Sequence, residues 1–402
     1  MTTLRRTAVA LLTLAAVLAV PSDPARAASL DPVTGFGSNP GNLAMYAYRP
    51  DGLAPNAPLV VALHGCTQTA TDYFDNAGWR RYADLWGFAL VLAEQRTANN
   101  ANRCFNWFEP GDTARGSGEA LSIRQMVAHA VAAYGLDAAR VFVTGLSAGG
   151  AMTAVMLAAY PDVFAGGAVM AGLPYRCATS VPTAFQCMNP GVDRTPAQWG
   201  DLVRAAFAYT GIRPRVEIWH GTADTTVVPA NATELRDQWT DALGVSQTPT
   251  STGTLPGGTS LSVYGGGAVR VYQVSGMPHA TPVDPGTAID RCGTAGTYYR
   301  DTICAAYYTG RNWGLDAGGP PPSPPGSPSV TASPSASVSP SPPVLCVRAT
   351  NYDHVRLGRA TQRLGYVYAA GSGQAMGLYT LAVSHGLKQT GPGYWVVADT
   401  EC

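Results

Sequence analysis

Gly145-Leu146-Ser147-Ala148-Gly149 is a Gly-x-Ser-x-Gly pentapeptide, the pattern of a serine nucleophile raised on a sharp strand-to-helix turn. Its flanks fit that turn. Residues 141–144 are a short apolar run that predicts a buried strand, and residues 148–160 predict a helix stopped by Pro161. Small flanking residues let neighbouring backbone approach closely, and the first amide of the helix, that of Ala148, can face a developing oxyanion. The pentapeptide alone is a weak signal, because small residues crowd many tight turns. Strand, helix and chemical partners together make Ser147 the candidate nucleophile.

A serine hydroxyl needs a base, and the base needs an orienting acid. On a strand–elbow–helix of this kind the chain order is serine, acid, histidine. Between Ser147 and residue 317 the histidines are His220 and His279. Asp224 lies one short loop past the apolar run that His220 ends, and His279 lies in Gly276-Met277-Pro278-His279, just after the last such run. The order assigns Asp224 as the acid and His279 as the base. His220 precedes the acid and reads as a structural hydrogen-bonding residue. Asp162, Asp193 and Asp201 follow no late strand and read as surface or capping groups, and His129 falls on the polar side of its helix. A second oxyanion donor is expected from the loop after an early strand, and Leu63-His64-Gly65-Cys66 supplies the Cys66 amide, with His64 as a buttress. A Cys66–Cys104 disulfide would hold that loop rigid. Cys104-Phe105-Asn106-Trp107-Phe108 reads equally as a local core or as an apolar wall for the acyl chain, with Trp107 the candidate contact.

These groups need a scaffold that brings strand ends together. Apolar runs at 59–63, 88–93, 141–144, 167–170, 216–220 and 269–274 read as strands. Ile123, Met126, Val127, Ala130, Val131 and Tyr134 repeat at helical spacing, with Gly135 as the stop. Alternation of strands with helices predicts an α/β fold: a mostly parallel sheet with helices on both faces, catalytic groups at the carboxyl ends of its strands. Residues 44–48 predict an antiparallel edge strand.

Composition bounds the rest. Twenty-six basic and 26 acidic residues balance, which speaks against a nucleic-acid or anionic-membrane partner. Residues 1–28 read as an export signal: Arg5 and Arg6, an apolar run at 8–20 too short to span a bilayer, then Ala25-Arg26-Ala27 as cleavage site. The residues after the paired arginines match twin-arginine export poorly, which favours general secretion. Eight cysteines in an exported chain predict four disulfides. Spacing does not fix the pairing; proximity suggests Cys177–Cys187 and Cys292–Cys304, Cys346 and Cys402 bracket the last segment, and Cys66 is left with Cys104. No Cys-x-x-Cys occurs and the histidines are scattered, so neither a metal nor an organic cofactor is implied. Asn231-Ala232-Thr233 matches a glycosylation sequon by chance. Residues 318–343, nearly all Pro, Ser, Gly, Ala, Thr and Val, read as a linker between a catalytic body, 29–317, and a tail, 344–402. A monomer is the default.

The body resembles the catalytic domain of extracellular short-chain polyhydroxyalkanoate depolymerases, within an esterase group that also holds acetylxylan and feruloyl esterases. The matching stretches are Leu63-His64-Gly65-Cys66-Thr67-Gln68, Arg103-Cys104-Phe105-Asn106-Trp107-Phe108, Arg115-Gly116-Ser117-Gly118-Glu119-Ala120-Leu121-Ser122-Ile123, Asp137-Ala138-Ala139-Arg140-Val141, the elbow, His220-Gly221-Thr222-Ala223-Asp224 and Met277-Pro278-His279. The resemblance implies an α/β-hydrolase with the triad Ser147, Asp224 and His279, and an oxyanion hole from the Cys66 and Ala148 amides. The tail is similar to the polymer-binding domain of these depolymerases in residues 351–360, 371–378, 387–390 and Tyr394-Trp395. So short a domain needs a staple, which Cys346–Cys402 would provide. Tyr352, Tyr366, Tyr368, Tyr379, Tyr394 and Trp395 either form a flat adhesive face or fill the small core; Tyr352, Tyr394 and Trp395 are the candidates for polymer contact. Body and tail together imply a secreted serine esterase acting on an insoluble polyester of the poly(3-hydroxybutyrate) kind. Its rivals are an acetylxylan or feruloyl esterase with a carbohydrate-binding tail, and an adhesion protein on a dead hydrolase body. The intact serine, acid and histidine argue against the last.

Overall fold

The computed structural model describes residues 29–317 and, in the tail, 346–356, 359–363, 366–370, 372–380, 382–391 and 394–400. The expected export signal and linker lie outside the described residues. The chain divides into two compact units, residues 1–323 and 324–402.

The first unit is built on a ten-stranded sheet. Its strands are β1 (Asp31–Val33), β2 (Ala44–Tyr48), β3 (Leu59–Leu63), β4 (Ala89–Glu94), β5 (Val141–Leu146), β6 (Gly166–Met170), β7 (Arg215–Gly221), β8 (Ser251–Leu255), β9 (Thr259–Tyr264) and β10 (Val269–Val274). They lie in the order β1-β2-β4-β3-β5-β6-β7-β10-β9-β8. From β4 to β10 neighbours are parallel; the two margins are antiparallel. The helices are α1 (Ala70–Asn76), α2 (Trp79–Trp86), α3 (Pro110–Thr113), α4 (Gly118–Tyr134), α5 (Ala148–Ala159), α6 (Val181–Met188), α7 (Pro196–Ala206), α8 (Ala230–Ala242) and α9 (Ala305–Asn312).

Burial explains the apolar runs. Every residue of β3 is buried, and the strand's alternation sends Leu59, Val61 and Leu63 to one core and Val60 and Ala62 to the other. The first core is closed by α4, α5, α7 and α8 through Ile123, Met126, Met152, Trp199 and Trp239. The second is closed by α1, α2 and α9 through Tyr73, Trp79, Tyr82 and Ala305. A polar chain ties α9 down: Trp219 Nε1 donates to Thr309 Oγ1 at 3.1 Å, and Thr309 Oγ1 donates to Glu217 Oε2 at 3.1 Å.

One expectation about the sheet needs correction, and two margins go beyond it. Residues 44–48 do form an antiparallel strand, but β1 pairs outside it, so β2 is not the edge. Three residues are too few to show a period. The β8–β9 hairpin at the other margin is not marked by the apolar pattern: β8 reads Ser-Thr-Gly-Thr-Leu and is exposed at every position before Leu255. A short parallel pair, β11 (Thr281–Val283) and β12 (Tyr299–Asp301), comes next along the chain.

The second unit contains β13 (Cys346–Thr350), α10 (Asn351–Arg356), β14 (Ala360–Arg363), β15 (Tyr366–Ala369), β16 (Ala375–Leu378), β17 (Ser384–Gly391) and β18 (Tyr394–Val397). They pair as two three-stranded sheets, β13-β17-β18 and β14-β15-β16, around a core of Ala360, Val367, Ala369, Met376, Leu387 and Trp395.

Candidate functional site

The elbow emerges from β5. Ser147 has φ 56° and ψ −117°, a strained conformation for a residue with a side chain. It is anchored from both sides: Ser147 N–H donates to Met170 O at 2.9 Å and Ala151 N–H to Ser147 O at 2.8 Å. The two glycines of the pentapeptide are needed for space. A Cβ on Gly149 would stand 2.3 Å from Leu63 O, and one on Gly145 would stand 2.5 Å from Gly149 C. The end of β3 therefore presses against the elbow, and only bare backbone fits between them. Ala148 opens α5, so its amide is one of those a helix leaves without an intrahelical acceptor.

Asp224 and His279 arrive from the loops after β7 and β10. Thr222 N–H donates to Val274 O at 3.0 Å, Ala223 N–H to Met277 O at 3.1 Å, and Gly276 N–H to Thr222 Oγ1 at 2.8 Å. These bonds lock the two loops together. Asp224 is 2% exposed, yet both its carboxylate oxygens are engaged. Oδ1 accepts the Thr226 and Val227 amides, each at 2.9 Å, and Oδ2 accepts His279 Nδ1 at 2.7 Å. A carboxylate can only accept, so the Nδ1 proton is held there and Nε2 keeps the lone pair. Among the described residues no hydrogen bond joins Ser147 to His279. Such bonds are often long before substrate binds. His220 is buried beside this pair, its Nε2 donating to Val227 O at 2.7 Å and standing 3.5 Å from Asp224 Oδ2. Burial lowers its pKa and keeps the ring neutral.

The loop after β3 carries Cys66. Thr67 N–H donates to Asn102 O at 2.6 Å, Gln68 N–H to Gly65 O at 3.3 Å, and Gly65 N–H to Gln68 Oε1 at 2.7 Å. The Cys66 amide, between them, enters none of these bonds. Cys66 is disulfide-bonded to Cys104. His64 is buried, donates through Nδ1 to Gly65 O at 2.7 Å and accepts Gln95 N–H on Nε2 at 3.0 Å. Burial lowers its pKa to about 4, so it stays neutral. Sequence reasoning missed Gln68, Gln95 and Glu119 in this region. All three are buried polar side chains, and their signal is that polar atoms in a core must each find a partner.

Other candidates separate cleanly. Trp107 is 5% exposed and packs edge to face on Phe108 within the first core, which favours the local-core reading. Trp395, expected on a binding face, is 6% exposed in the tail core; a unit this small needs its largest side chain inside. Tyr352 is half-buried against Tyr379, with ring centroids 5.5 Å apart, while Tyr366 and Tyr379 are exposed. The side chain of Tyr394 lies outside the described residues. Asp162 pairs with Arg115 at 2.7 Å and Asp201 with Arg204 at 2.6 Å. Asn231 is fully buried, its amide donating to the Cys187 and Val228 carbonyls, so the sequon is closed to a glycan. His129 is half-buried, edge-on to Tyr134. Cys177–Cys187 and Cys292–Cys304 are bonded; the remaining expected pair includes Cys402, which lies outside the described residues. Among the described residues no cluster of three or more potential metal ligands occurs, and no helix is long and apolar enough to cross a membrane.

Comparison with known proteins adds a family. The model described as Esterase PHB depolymerase matches residues 43–255, a range that holds Cys66, Ser147 and Asp224 and stops short of His279. Poly(3-hydroxyalkanoate) depolymerase C of Paucimonas lemoignei is 52% identical over 305 residues, 74% of this chain and 73% of that protein. Feruloyl esterase B of Neurospora crassa is 40% identical over 265 residues, 64% of this chain and 90% of that protein. The solved structure of an acetyl xylan esterase from Aspergillus awamori superposes with a TM-score of 0.59 at 32% identity, covering 62% of this chain and 94% of that one. The first unit thus has the α/β-hydrolase fold.

Proposed function

The chain belongs to the esterase PHB depolymerase family, and from that membership we propose that it is a secreted serine esterase cleaving solid poly(3-hydroxybutyrate)-type polyesters. One observation carries the choice of substrate: identity to the polyhydroxyalkanoate depolymerase is 52% over 74% of the chain, against 40% over 64% for the feruloyl esterase.

The chemistry is acyl transfer. Ser147 Oγ attacks the ester carbonyl while His279 Nε2 takes its proton; the imidazolium that forms faces the Asp224 carboxylate through Nδ1, 2.7 Å away. The carbonyl oxygen becomes an oxyanion held by the Cys66 and Ala148 amides. On collapse the C–O bond to the departing chain breaks, and its alkoxide leaves as a hydroxyl with the proton from His279. Water then repeats the sequence on the acyl-serine: His279 takes a proton from water, hydroxide adds to the carbonyl, and Ser147 Oγ leaves with that proton. The tail would bind the polymer surface and, through residues 318–343 as a tether, hold the catalytic unit at high local concentration over it. The chain acts as a monomer.

Clearing of a poly(3-hydroxybutyrate) granule suspension tests this. The intact protein should clear granules, and Ser147→Ala should adsorb to them without clearing. Untouched granules, with acid released instead from acetylated or feruloylated xylan, would replace the substrate assignment with a polysaccharide esterase. Full activity in Ser147→Ala would remove the nucleophile.

A further inference from the structure

Oxyanion donors work by direction. A backbone N–H must already point at the place where charge develops, and losing one such donor typically costs about 10²–10³ in kcat. The Ala148 amide is aimed by its helix. The Cys66 amide sits in a loop, so something else must aim it.

We propose that Gln95, anchored by Glu119, is the positioning residue that fixes the direction of the Cys66 amide. The inference rests on the serine-esterase reading above.

Gln95 is the first residue past β4 and is 1% exposed. Its backbone N–H donates to His64 Nε2 at 3.0 Å, and His64 Nδ1 donates to Gly65 O at 2.7 Å. Gly65 O and the Cys66 N–H belong to the same peptide unit. That unit is planar and trans, so holding the carbonyl end sets the direction of the N–H end. Gln68 N–H reaches the same carbonyl at 3.3 Å.

The Gln95 side chain grips the loop after β4, which carries the disulfide partner of Cys66. Its Nε2 donates to Cys104 O at 3.1 Å and to Glu119 Oε1, while its Oε1 accepts Arg96 N–H at 3.0 Å and Asn99 Nδ2 at 2.7 Å. Cys104 is the disulfide partner of Cys66. One residue therefore holds the loop both before Cys66, through His64, and beyond its covalent staple, through Cys104.

Glu119 is the fixed point. It stands in the first turn of α4, is 1% exposed, and accepts Asn106 N–H on Oε2 at 2.9 Å as well as Gln95 on Oε1. Its own N–H donates to Asp112 Oδ1 at 3.1 Å. Burial, with the Asp112 charge, raises its carboxyl to about 8. A buried carboxyl is a poor way to gain stability, since an apolar side chain of similar volume costs less. The Asn106 and Gln95 donors act against that rise, and in the carboxylate form they favour, Glu119 supplies two acceptors at fixed positions, which is what aiming a loop requires.

The test uses the full-length protein and p-nitrophenyl butyrate, with butylboronic acid as inhibitor, because its tetrahedral adduct on Ser147 places an oxygen in the oxyanion hole. Gln95→Leu removes the side-chain bonds, and Glu119→Gln keeps the shape but offers a donor where an acceptor is needed. Both should lower kcat about 10- to 100-fold with KM within about twofold, and the boronate inhibition constant should rise by the same factor as kcat falls. The double variant should be no worse than Gln95→Leu, since the two residues act through one chain of bonds. Folded variants with unchanged kcat and unchanged boronate affinity overturn the proposal. So does a kcat loss without a matching loss of boronate affinity, which would mark a purely structural role. Ser147→Ala serves as the control: inactivity there with no effect at Gln95 removes this inference alone, whereas full activity in Ser147→Ala removes the serine-esterase reading itself.

Discussion

Both carboxylate oxygens of Asp224 are engaged. One oxygen closes a turn on the Thr226 and Val227 amides and the other holds the Nδ1 proton of His279. Asp224→Asn makes a sharp test of this division. The amide oxygen must still serve the two backbone donors, which turns the NH₂ toward His279 and drives the proton from Nδ1 to Nε2, where the base should be. We expect kcat on a soluble ester to fall by about 10⁴ with the fold intact; a loss under tenfold would mean that Asp224 does not orient the base. His64 gives a prediction in pH. Its folded pKa is about 4, below the ordinary 6.5. The unfolded chain therefore binds more protons between those values, and stability, complete above pH 6.5, is lost as pH falls toward 4, by about 3 kcal/mol at the acid end. His220, also lowered by burial, adds in the same direction. Urea denaturation at pH 7 and pH 4.5 should show the loss, and His64→Asn should reduce it.

At the level of elements, the site is a matter of which strand ends meet. β5, β7 and β10 run parallel, with β6 between the first two, so the loops that follow them open at the same edge of the sheet. The press of β3 on the elbow is the tightest of these contacts. Gly149→Ala places a Cβ 2.3 Å from Leu63 O, where backbone and not a flexible side chain stands in the way. It should cost about 2–4 kcal/mol and displace Ser147, seen as a lower unfolding midpoint together with reduced turnover. Ala151→Gly, in the same helix, should cost only about 1 kcal/mol and spare turnover.

For the molecule as a whole, the division of labour between two units sets what granules report. Adsorption of a solid-binding unit depends on exposed rings, and among the described residues of the tail these are Tyr366 and Tyr379, at 52% and 37% exposure. Tyr366→Ala and Tyr379→Ala together should weaken granule adsorption about tenfold or more, and slow granule clearing more than soluble-ester turnover. Trp395→Ala should instead unfold the tail, because that ring fills its core. Equal adsorption by the tyrosine pair and the parent protein would move the binding face elsewhere.

Much of this protein was legible along the chain. The elbow, the order of Ser147, Asp224 and His279, and the six central strands are local in sequence, since each is a run, a turn or a spacing. Residues 88–93, 167–170 and 216–220 shift by a residue or so as β4, β6 and β7, and 141–144 runs two residues further as β5, into the elbow. What the tertiary structure decided is which side chains face inward and which carbonyl each buried donor meets. Trp395 looks like a binder in sequence and is core in space. β1 and β8 carry no apolar period because little covers them. Gln95 and Glu119 stand 24 residues apart with nothing between them to announce a bond. Periodicity records burial on an element, whereas a hydrogen-bond partner is set by packing between elements, and only the folded chain contains that information.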